Sequence, residues 1–365
     1  MSFIQGIFNL FKSEKKYLLM LIFIIVFFGL SVFMKGLSKK SETFVSLQSS
    51  VKAAEEVMEA NSEDPNYLKE RLEHDPALNR CAQFFMVFAL IALTIGIYID
   101  VGLIMKTTRK EPWLQKSEFQ PEVGWGFHEI FKVIILFLFF GICLDFLFLF
   151  FMRWVPPSFR SNFLLIMHTT ITDIAIVGFI LYFLDKTQEQ TALAALGFRN
   201  SINWIEEVWL GVKGYLAILP VFMLMMALLI FVTSALHYEP PAHPLVGIFI
   251  EEEKRAPWLI GYSLFLACVV GPIVEEIFFR GFLYPVIRKK WGIPLASMST
   301  AALFALTHEN AFAFAPIFLL GLVLSYLYEK RGSLISCMSL HVLHNTIFIT
   351  YFFLIKQILL DHKVG

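Results

Sequence analysis

Long apolar runs separated by short polar ones dominate this chain. A bilayer's hydrocarbon core sets the ruler for reading them, since about 30 Å of lipid needs roughly 20 apolar residues per crossing helix. Six long segments meet it, at residues 17–34, 81–105, 127–152, 163–184, 209–234 and 258–287. Three tighter ones follow at 294–308, 314–328 and 333–355, and the turns between them (309–313, then 329–332) are so short that the three must pack as adjacent antiparallel hairpins. The pattern predicts an all-α polytopic membrane protein of about eight to nine transmembrane helices, the shortest two segments being those that span only in part.

Two polar stretches interrupt the pattern. Residues 35–80 form the one sizeable insertion, where Asp64-Pro65 and Asp75-Pro76 each place an N-cap acceptor before a proline suited to the first helical turn. Two short helices are expected there, the second running into span two. A solvated helical loop is the plain reading of the insertion, and substrate docking is the alternative. Residues 185–203 are also polar, with Gly197 and Asn200 as breakers. They divide an N-terminal transmembrane region, 1–195, from a C-terminal helical core, 196–356, followed by a short tail, 357–365.

Composition sharpens this picture. Of 365 residues, 57% are hydrophobic and 16% charged, against about 25% charged in a soluble domain, so a water-soluble enzyme is excluded. Thirty basic residues balance thirty acidic ones, which leaves no global field to attract a nucleic acid. Cys81, Cys143, Cys268 and Cys337 sit singly in apolar runs and read as small buried hydrophobes. Lys12, Lys15 and Lys16 precede the first span, but its run is long and no small-x-small cleavage site ends it, so it reads as a retained anchor. In the nine-span order the tail before span one and the loops 106–116, 186–199, 288–290 and 330–331 carry fourteen Lys and Arg, while the opposite short loops carry six. That bias predicts a multi-pass protein of the cell (inner) membrane with a cytoplasmic N-terminus.

Ionisable side chains inside a bilayer cost about 2.5–3.5 kcal/mol or more each, so every one is a functional candidate with a partner to be found. Most fall in the last third. In GPIVEEIFFRG, Glu276 and Arg280 stand at i, i+4 and can pair on one helix face, which leaves Glu275 about 100° round the helix without that partner. A desolvated lone carboxylate is suited to general-base work, although a structural ion pair beside a protonated Glu275 also fits. FALTHEN brings His308 to the tip of span seven. HVLHN puts His341 and Asn345 on one face of span nine, with His344 to the other side. Glutamate, histidines and an amide from three helices make a hydrolytic set: Glu275 takes a proton from water, one histidine positions that water or shares a metal, and a second with Asn345 meets an oxyanion. No GxSxG or HExxH is present, and neither Cys268 nor Cys337 has an activating base in sequence, so any zinc site has to be assembled from separate helices. Asp100, His128, Asp145, His168 and Asp173 in the N-terminal half read as interhelical hydrogen bonders, or else as a substrate or proton path.

EEIFFR, FALTH and HVLHN, in that order, resemble the EExxxR, FxxxH and HxxxN motifs of the CPBP (CAAX protease and bacteriocin-processing, or Abi) intramembrane proteases, which include the type II CAAX prenyl endopeptidases. The resemblance covers residues 196–353. It implies an endopeptidase acting on a membrane-associated protein or peptide, in which Glu275 with His308 activates water, His341 and Asn345 stabilise the oxyanion, and Glu276 and Arg280 hold the motif helix. It also implies a divalent metal, with zinc as the first candidate and Glu275, His308 and His341 as candidate ligands. His344 matches no motif position. A proton-coupled transporter and a non-catalytic membrane scaffold or immunity factor of the same fold are the alternatives. Inverted halves with broken helices at matching positions would mark the transporter, and no such symmetry is visible.

Overall fold

A computed structural model gives the fold, describing residues 14–37, 64–114, 123–151, 160–187, 191–198, 203–236 and 257–359 together with single positions 11, 12, 57, 61 and 154. Among the described residues there are helices and no strands. They are α1 (Lys15–Leu37), α2 (Pro65–His74), α3 (Pro76–Thr108), α4 (Phe127–Phe151), α5 (Arg160–Thr187), the single turn α6 (Ala192–Ala195) and α7 (Trp204–Ala235). A long composite follows: α8 (Pro257–Phe265), a π turn (Leu266–Val270), α9 (Gly271–Glu276), a second π turn (Ile277–Leu283) and α10 (Tyr284–Leu306). Last come α11 (Ala311–Arg331) and α12 (Leu334–Leu359).

Among the described residues eight segments are long and apolar enough to cross a membrane, and one of them, Trp258–Leu306, runs for 49 residues. That is more than twice the roughly 20 needed for one crossing. The chain breaks it at Gly292, whose φ of 82° is open to glycine and strained for any other residue. Phe279 before the break meets Phe304 after it at 5.3 Å, so the composite is a helical hairpin of two legs. The outward faces are apolar, with Phe84, Leu224 and Phe231 each at least 70% exposed. An apolar surface of that extent belongs in lipid rather than water.

Both Asp-Pro expectations hold. Asp64 accepts from the Asn66 amide at 2.9 Å, Asp75 accepts from Ala77 and Leu78, and α3 runs from the second cap straight through span two. The insertion also docks: Asn61 Nδ2 and the Tyr67 hydroxyl both donate to the Leu359 carbonyl, at 2.7 and 3.3 Å. They satisfy a carbonyl that the end of α12 leaves without a helical partner. The insertion and the end of α12 therefore share one side of the bundle, as the nine-leg order requires.

At the opposite, Lys/Arg-rich end, ion pairs fix the helices that frame the C-terminal core. Arg331 at the end of α11 reaches Glu207 at 2.6 Å and Glu206 at 3.0 Å on α7. Arg288 on α10 clasps Glu329 on α11 through Nε at 2.5 Å and through its second nitrogen at 2.8 Å. Farther in, α7 and α12 approach closely because Gly211 has no side chain. A Cβ there would lie 2.5 Å from the Ser336 carbonyl and 2.9 Å from the Leu340 amide, both backbone atoms that cannot swing away. Gly211→Val is expected to force α12 off α7, at about 1–3 kcal/mol as for other overpacked contacts. A melting temperature unchanged from the native protein would contradict this close approach.

Candidate active site

The composite helix is built to carry polar groups in lipid. Its first π turn shifts the hydrogen-bond register, so that the Gly271 amide bonds to Leu266, five residues back. In that register the next donor is Pro272, which has no N–H for the Ala267 carbonyl. Asn345 of α12 supplies the missing donor, with Nδ2 2.9 Å from that oxygen. One amide hydrogen of the expected oxyanion donor is therefore spent on the backbone, and one is left.

One turn on, Glu276 and Arg280 pair as their spacing predicts, at 2.9 Å and with both side chains fully buried. Arg280 also donates to the Gly321 carbonyl on α11 at 3.2 Å, and its guanidinium lies 4.6 Å from the centre of the Phe304 ring. The same oxygen of Glu276 that meets Arg280 is 2.9 Å from Nδ1 of His341, while its other oxygen is buried with no hydrogen bond among the described residues. A histidine held through Nδ1 by a carboxylate has a fixed ring orientation and presents Nε2 to the site. That nitrogen lies 3.6 Å from Glu275, whose side chain is about a third exposed (36%). Glu275 is thus the accessible carboxylate, Glu276 the buried one, and His341 stands between them.

His308 sits differently. Its Nδ1 is 2.9 Å from the Phe304 carbonyl, its ring meets the edge of Phe304 at 5.0 Å, and no hydrogen bond or ion pair among the described residues joins it to Glu275. Phe304 is fully buried and touches both histidines, being 5.5 Å from His341. The residue after His308, Glu309, has a φ of 50°, a costly conformation for a residue with a side chain. It turns the chain so that Asn310 can cap α11 through two backbone amides. His344 packs among aromatic rings, stacked on Phe222 at 5.2 Å and on Phe348 at 6.4 Å.

The structure thus gathers Glu275, Glu276, Arg280 and His341 at one point, with Asn345 one turn along α12 and His308 edge-on against Phe304. Among the described residues no group of three or more His, Cys, Asp and Glu is placed to hold an ion. With Nδ1 on Glu276, His341 presents Nε2 to the site beside Glu275, which brings together two of the three candidate ligands. Sequence reasoning missed one feature here. Phe304 is the ring on which the ion pair and both histidines converge.

Comparison with known proteins supports this part of the chain. Residues 257–347 match the family described as Type II CAAX prenyl endopeptidase Rce1-like, a span that includes all six of the motif residues named above. An uncharacterized 24.3 kDa protein of Escherichia coli is 30% identical over 107 residues, covering 28% of this chain and 48% of its own. The chain thus spans about half the length of that curated relative. No solved structure matches.

Proposed function

From the Rce1-like match of residues 257–347, which at family level indicates a CAAX-type protease acting on protein substrates at the membrane, we propose that this protein is an intramembrane endopeptidase with Glu275 as its general base. The observation that carries the reading is the 3.6 Å approach of His341 Nε2 to an accessible Glu275, beside a second glutamate already neutralised by Arg280. With Nδ1–H donated to Glu276, Nε2 of neutral His341 accepts a hydrogen bond from water and turns its other hydrogen toward Glu275. Glu275 takes that proton as the oxygen attacks the scissile carbonyl, and later delivers it to the leaving nitrogen. The remaining amide hydrogen of Asn345 donates to the oxyanion. Position favours His341 over His308 as the partner of Glu275. No step is assigned to a metal. The N-terminus is proposed to be cytoplasmic, which puts the Arg288 and Arg331 end of the bundle on that side.

The test is cleavage of a membrane-bound peptide by the purified full chain in liposomes. Glu275→Gln keeps the size and polarity of the side chain but removes its basicity, and is expected to slow cleavage by about 10²–10⁴-fold. Cleavage at the native rate would end the proposal.

A further inference from the structure

The bend of the helical hairpin leaves a cavity that no step above uses. Gly292 breaks the composite helix, and just beyond it Ile293 and Ser297 of α10 line about 290 Å³ of space together with Tyr326, Glu329 and Lys330 of α11. Small-molecule pockets run from roughly 300 to 1,000 Å³, so this one has room for a headgroup and not for a whole lipid. Trp113, in the turn that follows α3, donates its indole N–H to Thr107 and meets Tyr326 edge-on at 6.1 Å. Trp113, Trp291 and Ile293 are all exposed, and tryptophan rings at the end of a bundle mark the level where lipid meets water. The cavity therefore opens at that level, at the Lys/Arg-rich end.

Its charges do not balance. The Glu329 carboxylate is clasped by two nitrogens of Arg288 and also accepts from the Tyr284 hydroxyl. Arg331 is likewise spent on Glu206 and Glu207. Lys330 stands between these clasps, half-buried, with Nζ 5.7 Å from the centre of the Tyr326 ring, and among the described residues no carboxylate pairs with it. With Arg288 cancelling Glu329, the lining keeps one positive charge, and a half-buried ammonium against apolar walls calls for an anion. Free phosphate matches that charge but not Ile293 or the Tyr326 ring, whereas an anionic amphiphile matches both. We propose that the cavity binds the phosphate of an anionic phospholipid, held by Lys330 with the Ser297 hydroxyl as a second donor, while an acyl chain runs past Ile293. A zwitterionic lipid would bring its own cation beside Lys330. The cytoplasmic leaflet, which this end is proposed to face, is the anionic one.

This assignment does not depend on the endopeptidase reading. Mass spectrometry of the intact full chain released from detergent tests it by counting bound lipid. The probes are phosphatidylglycerol, phosphatidylcholine with the same acyl chains, and inorganic phosphate. One phosphatidylglycerol is expected to bind about tenfold or more tighter than phosphatidylcholine, the scale of a charge-assisted hydrogen bond. Lys330→Gln is expected to erase that preference and Lys330→Arg to keep most of it. Lys290→Gln is expected to leave it unchanged, because Lys290 lies over Phe127 and Trp291 and does not line the cavity. Equal affinity for the two lipids, or a preference that survives Lys330→Gln, overturns the inference. An equal loss in Lys290→Gln overturns it too, by reducing the effect to a general basic surface. Displacement of the lipid by inorganic phosphate alone does the same, since a soluble anion is then the ligand.

Discussion

Replacing Arg280 by methionine is expected to leave little folded protein in the membrane. The substitution keeps most of the volume but strands Glu276 as a fully buried charge, and breaking a buried pair from one side costs about 3–5 kcal/mol, a large share of any domain's stability. Arg280 also joins two legs of the core through Gly321 and lies against Phe304, so α10 and α11 are expected to loosen together. Adding Glu276→Gln to Arg280→Met removes the stranded charge and is expected to recover folding, measured by tryptophan-monitored melting. Activity is expected to recover less. Glutamine still offers His341 an oxygen but no negative charge, and the loss of such an orienting partner costs about 10–100-fold. A double variant as active as the native chain would reduce Glu276 and Arg280 to packing.

Much of this architecture was legible because lipid simplifies the physics. Apolar run length alone located the crossings, and i, i+4 spacing alone paired Glu276 with Arg280, since a buried charge had few other ways to be satisfied. The Asp-Pro caps were equally local. What escaped depended on register between helices. The partner of Asn345 became visible only when the π turn put Pro272, with no N–H, opposite the Ala267 carbonyl. Which histidine stands beside Glu275 could not follow from motif order, because both pack edge-on against Phe304 and the register between helices decides that His341 Nε2 reaches Glu275. His168 Nε2 comes within 3.3 Å of Asp145 on α4.

The choice between the two histidines carries the other large effect. His341→Ala is expected to slow cleavage by about 10²–10³-fold, because it removes the group that orients water and leaves Glu276 without its neutral neighbour. Combined with Glu275→Gln, it is expected to cost almost nothing more, since residues that act on one water fail as a unit. His308→Ala is expected to behave otherwise. Its ring is held by the Phe304 carbonyl and, among the described residues, makes no hydrogen bond or ion pair with Glu275, so its loss should be smaller alone and should add to that of Glu275→Gln. Single-turnover rates for the four variants and the two double mutants decide the matter. If His308→Ala proves silent on a Glu275→Gln background while His341→Ala adds to it, the water sits between Glu275 and His308. The tip of α10 must then move toward α9 before a peptide can be cut, and Glu309, held at positive φ one residue on, is the place where that movement would release strain.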